Sequence, residues 1–351
     1  MEPVEKVKAE DNLGKYFKYH LVLCVGCMVM ALQNSDAQTS RSAYNFIDNP
    51  SFSKLAGLGG VNITAGNDVL MFTANPALLD SSSLNTPAFH YLNFPGGIQV
   101  ATLGYNIQAK NGGVLGLALQ YFDYGNFDGF DAIGIATGEF AANEFSFVLG
   151  YSKRIGVFRY GANAKILGSV LEGYQAYALA FDFGVNYHHP DKDFVFGLNV
   201  RNLGFNLSNY IDGQKLQIPS DVRFGGSFKP EYAPFRFHLT LRNLNGREQD
   251  FFISDPSLNR EDVSTVDKMF RRAVFGVEIL PSEHLVMRLG YNHLIRKEFG
   301  TSSGAGAGGF SGGFAFKVKK FELSYSRMFY NIPGGSNVFG VSTSINEWRT
   351  F

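Results

Sequence analysis

From residue 86 onward, apolar residues alternate one by one with small or polar ones in about fourteen successive segments. In one segment Tyr177, Leu179, Phe181, Phe183, Val185 and Tyr187 alternate with Ala176, Ala178, Ala180, Asp182, Gly184 and Asn186. In another, Phe158, Tyr160, Ala162, Ala164 and Ile166 are set against Arg159, Gly161, Asn163 and Lys165. Successive side chains of a strand point to opposite faces, so each segment has one apolar face and one polar or small one. Strands of a soluble β-sandwich alternate too. The segments here run to about 10 residues, however, a length that crosses a bilayer at a tilt and exceeds the usual sandwich strand. The pattern predicts an all-β chain, a transmembrane barrel of about 14 antiparallel strands.

The predicted strands are 86–94, 97–108, 113–122, 142–152, 157–168, 175–187, 192–203, 218–229, 234–244, 270–280, 284–294, 309–318, 320–330 and 336–347. Their connections also alternate. Short ones fall at Asn111–Gly113, Arg154–Gly156, His188–Asp191, Pro230–Ala233, Pro281–Glu283 and Lys319-Lys320. Long ones fall at 123–141, 169–174, 204–217, 245–269, 295–308 and 331–335, with the tight Pro95-Gly96 turn the exception. Short turns belong on the periplasmic side and long loops outside, which leaves both termini periplasmic.

Residues 1–37 read as a cleavable signal peptide. Lys15 and Lys18 precede the apolar run Leu21–Leu32, and Ser35-Asp36-Ala37 offers small residues for cleavage before Gln38. Both cysteines, Cys24 and Cys27, lie in that run, so thiol chemistry and disulfides are not expected in the mature chain. Export plus a barrel implies the bacterial outer membrane, with its lipid as the surrounding partner. Charge is balanced, 31 basic residues against 31 acidic, and no basic patch or tail points to nucleic acid.

Inward-facing positions carry Arg159, Lys165, Arg201, Arg223, Arg236, Arg242, Arg288, Asp182, Glu278 and Glu322. Such groups need partners where water is scarce. The segment 38–85 is expected to supply them as a lumenal plug or hatch, ahead of a barrel at 86–351. Its stretch 53–80 is too rich in glycine for a good strand or helix and too apolar for a disordered linker. Gly57-Leu58-Gly59-Gly60 superficially matches a phosphate-cradling loop, but no strand precedes it and no Lys-Ser/Thr follows. Close packing inside the barrel is the better reason for those glycines.

No enzymatic constellation can be assembled. His188-His189 sits in a predicted turn without a third metal ligand, and Asp182 and Glu278 have no known separation that would make them an acid/base pair. No cofactor site is expected. Asn62-Ile63-Thr64 and Asn206-Leu207-Ser208 match a glycosylation pattern that short motifs meet by chance.

The run Ala56-Gly57-Leu58-Gly59-Gly60, then Asp68, then Asn75-Pro76-Ala77-Leu78-Leu79, resembles the N-terminal hatch motif of fatty-acid-transporter-like barrels and their type IX secretion relatives. Further on, Tyr124-Gly125-Asn126-Phe127-Asp128-Gly129-Phe130-Asp131 and Gly138-Glu139-Phe140 resemble the first long loop of the PorQ family. So do Arg201–Phe205, Ile218–Val222, the stretch from Asp255-Pro256 to Lys268, and the tract Gly304–Gly313. The resemblance covers essentially all of the mature chain and separates PorQ from its sibling PorV. It implies a fourteen-stranded Bacteroidetes outer-membrane barrel that docks a PorZ-like surface protein of the cargo attachment complex, with lipopolysaccharide as a further contact. On that reading Tyr124, Phe127, Phe130, Asp131, Phe251 and Phe252 are expected to bind the partner, as aromatic side chains give large contact area at low entropy cost. Gly57, Gly59, Gly60, Asp68, Asn75 and Pro76 form the hatch. The competing expectation is an importer of hydrophobic small molecules with 53–80 as a movable hatch.

Overall fold

In the computed structural model, residues 44–348 are described except 111, 132, 212, 214–215, 246–263, 300–305 and 331–334. The signal peptide reading, Gln38, Phe251 and Phe252 therefore lie outside the described residues. Fourteen antiparallel strands close into a barrel in simple sequence order, β1 completing the ring against β14. They are β1 (Ala88–Asn93), β2 (Gln99–Gln108), β3 (Val114–Phe130), β4 (Ala136–Ile155), β5 (Phe158–Leu171), β6 (Tyr174–His188) and β7 (Phe194–Ser208), followed by β8 (Asp221–Phe228), β9 (Phe235–Leu241), β10 (Ala273–Ser282), β11 (Leu285–Asn292), β12 (Phe310–Val318), β13 (Phe321–Met328) and β14 (Ser336–Thr343).

Each predicted strand coincides with one of these. The alternation sorts residues as expected: Leu103, Leu117, Phe147, Phe183, Phe237, Leu289 and Phe314 are exposed on the outer wall, while Asn106, Asn163, Asp182 and Arg288 are buried inside. An apolar outer band and a polar interior make this a barrel of the outer-membrane type.

Three connections differ from expectation. The stretch 123–141 is not an open loop: β3 and β4 stay paired from Val114↔Ser152 to Phe130↔Ala136, with shifts at Asp123/Asn126 and Gly129/Phe130. The backbone there absorbs an extra residue at Gly125, whose φ of 79° suits glycine. The 169–174 loop shrinks to the turn between Leu171 and Tyr174, and β7 runs on to Ser208. Two short helices cover the rim that carries the long connections, α2 (Thr265–Arg272) and α3 (His293–Glu298).

Residues 44–84 thread the lumen from that rim to the opposite one. They form one short helix, α1 (Ser53–Gly57), and several single 3-10 turns. Leu58, Ile63, Leu70, Met71, Phe72 and Ala77 are completely or almost completely buried. Glycines on the inner wall make room for them. A Cβ at Gly150 would sit 2.6 Å from the Phe72 ring, and one at Gly290 would strike the Leu58–Gly59 backbone. Gly290→Val is therefore expected to push the lumenal segment off the wall and lower the unfolding midpoint of the barrel, read by heat-dependent gel mobility. Gly312→Val is the control, because a Cβ there meets only ordinary contacts, Leu289 at 3.6 Å; equal midpoints for the two variants would contradict this packing.

Candidate functional site

Irregular backbone cannot satisfy its own carbonyls, so the wall must do it. Four inward asparagines answer this need. Asn106 Nδ2 donates to the Val69 carbonyl at 3.1 Å, Asn163 to Phe72 at 2.9 Å, Asn199 to Ala74 at 2.6 Å and Asn292 to Gly59 at 3.0 Å. Serines complete the pattern. Ser326 Oγ donates to the Ser53 carbonyl at 2.7 Å, Ser311 Oγ accepts from Gly59 N–H at 3.0 Å, and Ser152 Oγ donates to Leu79.

Charge ties the segment to the wall at three heights. Lys54 lies 3.4 Å from Glu278, which also meets His238 at 3.2 Å and Arg288 at 3.4 Å. Asp80 lies 3.1 Å from Arg159. Asp48 lies 3.0 Å from Arg201 and 3.2 Å from Arg223. Burial raises the Asp48 carboxyl, but Arg201 and Arg223, with Arg242 and Lys165 behind them, outweigh it and hold it below the ordinary carboxylate range. Of the remaining inward charges, Lys165 pairs with Asp182 at 2.7 Å.

The predicted hatch residues all lie in this segment, but they act differently. Gly57, Gly59 and Gly60 face β10, β11 and β13, where Gly59 adopts a φ of 90° and Gly60 of 83°. Asn75 is fully buried; its amide donates to the Ile63 carbonyl and to Asn186 Oδ1, both at 2.8 Å, and its Oδ1 caps Ala77 N–H in the turn begun by Pro76. Asp68 caps Leu70 N–H at 2.8 Å and, among the described residues, makes no hydrogen bond to the wall. Asn62, read as part of a chance glycosylation match, caps Thr64 and Ala65 inside the lumen.

On the rim side, around Tyr44 where the described part of the lumenal segment begins, the described residues line a cavity of about 700 Å³. Its wall is aromatic, with Tyr44, Phe46, Phe94, Tyr124, Tyr174, Tyr210, Phe299 and Tyr330, and carries Asp48, Glu144, Arg223, Arg242 and Glu298. Tyr124 was expected on an exposed loop; instead its hydroxyl donates to Glu144 at 2.5 Å inside the mouth, while Ser169 donates to the other carboxylate oxygen at 2.9 Å. Phe94 and Phe299 both pack on Tyr330, with ring centroids 5.3 and 5.1 Å apart. Burial pushes the Glu298 carboxyl up against the pull of Arg242 and Arg271. The Arg242 guanidinium lines the cavity without a hydrogen bond or ion pair among the described residues. Sequence reasoning placed Arg242 inward but missed Tyr44, Glu144, Tyr210 and Glu298, since nothing local marks them as neighbours.

No known family model matches the chain, and no curated protein matches it in sequence. Among solved structures it is similar to a mutant of the TodX monoaromatic hydrocarbon channel, at 11% identity and a TM-score of 0.51, covering 84% of this chain and 98% of that one. A Pseudomonas aeruginosa FadL homologue gives 10% identity and a TM-score of 0.44, covering 84% and 97%. These likenesses concern the fold.

With the lumen filled, the barrel should pass no steady ionic current in a planar bilayer. Removing both rim-side charges of the lumenal segment, by Asp48→Asn with Lys54→Met, should produce conducting openings. Because the Asp48 carboxyl is held low, its contribution is complete above the ordinary value of about 4 and is lost only as pH falls through its lowered one. Acidifying the bath from neutrality to about pH 5 should therefore leave the wild-type barrel closed. A steady current through the wild type would contradict the closure.

Proposed function

We propose that the chain is an outer-membrane receiver of amphipathic, acid-headed hydrophobic molecules, with residues 44–84 as the hatch beneath them. The cavity carries this reading. It opens on the side of the long connections, it is lined by aromatic rings, and it holds one guanidinium, Arg242, that is attracted by Asp48, Asp221 and Glu298 but makes no direct hydrogen bond or ion pair among the described residues. Pockets of this size and lining, with few placed polar groups, are where small ligands bind. An acyl or aromatic tail would lie against Tyr44, Phe46 and Tyr330 while its carboxylate met Arg242, with Arg223 behind. The neighbouring TodX barrel is itself a monoaromatic hydrocarbon channel, which agrees with this reading without establishing it.

A second reading follows from the sequence resemblance: a docking barrel of type IX secretion that holds a PorZ-like surface protein. The four ion pairs that fasten the lumenal segment favour it, because a static anchor needs no moving hatch. On this reading a clean deletion would release sorting-domain cargo unanchored, and normal cargo attachment would exclude it.

For the receiver, dodecanoate should displace a fluorescent anionic amphiphile from the purified barrel, and dodecanol should do so far less well. Arg242→Gln should weaken dodecanoate about tenfold or more, as a charged hydrogen bond contributes about 1.5–3 kcal/mol. Equal binding of acid and alcohol to both proteins would overturn the assignment.

A further inference from the structure

The β3–β4 hairpin continues past its neighbours. On one side β2 ends where Gln99 pairs with Asp123, and on the other β5 ends where Leu171 pairs with Ala142. Beyond those pairs and a last hydrogen bond from Glu172 N–H to the Ala141 carbonyl, no described strand flanks β3 and β4, which continue as a two-stranded ribbon. The outward apolar positions Leu117, Leu119 and Tyr121 of β3, and Phe147, Leu149 and Tyr151 of β4, stop below it. With about 3.3 Å per residue, the residues from Tyr124 to Phe130 lift the tip roughly 20 Å above that lipid-facing band.

The tip is hydrogen-bonded and apolar. Asp131 Oδ1 accepts from Ile133 N–H at 3.0 Å and Ile135 N–H at 2.8 Å, and Asp131 N–H donates to the Ile135 carbonyl at 2.9 Å. Held this way, Ile133 is 81% exposed, Phe130 63% and Ile135 60%. Phe127 stacks on Phe140 in the stem, ring centroids 5.4 Å apart. Among the described residues nothing covers these side chains, and they stand above the lipid-facing band. Apolar surface displayed on a hydrogen-bonded turn marks an interaction site.

Charge selects the partner. Between 123 and 143 the chain carries Asp123, Asp128, Asp131 and Glu139 and no basic residue. The glycines and bulges at Gly125 and Gly129, together with those carboxylates, discourage strand addition along the open edges. An acidic ribbon is also repelled by anionic phosphate headgroups. We infer that the ribbon tip docks, through Phe130, Ile133 and Ile135, into an apolar pocket rimmed by Lys or Arg on a second, surface-exposed protein. This holds whether or not the cavity below binds a ligand, since the tip lies outside it.

The test uses the full chain in intact cells, with photoreactive benzoylphenylalanine placed at Ile133 and, as a control, at the lipid-facing Leu119. The expected result is a protein adduct from position 133 only, whose cross-linked peptide contains apolar residues flanked by Lys or Arg. Asp128→Lys with Glu139→Lys should cut that adduct at least tenfold, with heat-dependent gel mobility confirming a folded barrel in each variant. An adduct indifferent to charge reversal would overturn the inference. So would adducts only to lipopolysaccharide or to a second copy of this chain, or no adduct at all.

Discussion

Every feature of this barrel answers one constraint: a backbone without regular structure fills its lumen, and each of its carbonyls must find a donor away from bulk water. Asn106, Asn163, Asn199 and Asn292 provide that donor from four different strands, and Ser311 on β12 and Ser326 on β13 donate to the Gly57 and Ser53 carbonyls. The same requirement explains the inner-wall glycines, which bring the wall backbone close enough for side chains this short to reach. Neither set would be needed in an open pore, and both would be wasted in a core of well-packed aliphatic side chains.

The charges obey a related rule. A buried carboxylate such as Glu278 is tolerable because Lys54, His238 and Arg288 surround it. Asp48 and Asp80 answer wall arginines in the same way. At the mouth the matching stops. Arg242 and the tyrosine-rich wall share a cavity with Tyr44, Phe46 and Asp48 of the lumenal segment, and the close pairing of the lumen gives way to open space. The boundary between the two runs through Asp48, which belongs to both: it holds Arg201 and Arg223 while 36% of its side chain remains accessible.

Much of the fold was legible because alternation with period two is a local signal that each strand repeats independently. The 123–141 region misled for a local reason too. Gly125, Asn126, Asp128 and Gly129 read as loop residues, and two bulges shift the alternation so that it no longer scans. The site was half legible. Inward charges such as Arg201 and Glu278 announced that partners were needed, and the glycine-rich segment was the evident source. Which residue met which wall charge was not readable, because Lys54 and Glu278, or Asp48 and Arg223, are far apart in sequence and only barrel closure brings them together. Tyr124 was misjudged by its type, which suggested an exposed anchor: two residues after the buried Phe122 it shares that inward face, stacks on the Phe122 ring and meets Glu144.

The most direct test of the receiver with a moving hatch is a reversible lock. Ser53 and Ser326 face each other with hydroxyl oxygens 2.9 Å apart, one on the lumenal segment and one on the wall. Ser53→Cys with Ser326→Cys should form a disulfide that fixes the segment. Uptake of labelled dodecanoate by cells carrying the oxidised variant should fall to the level of cells lacking the barrel and recover on reduction, while binding at the outer cavity is unchanged. Undiminished uptake through the oxidised barrel would contradict the account.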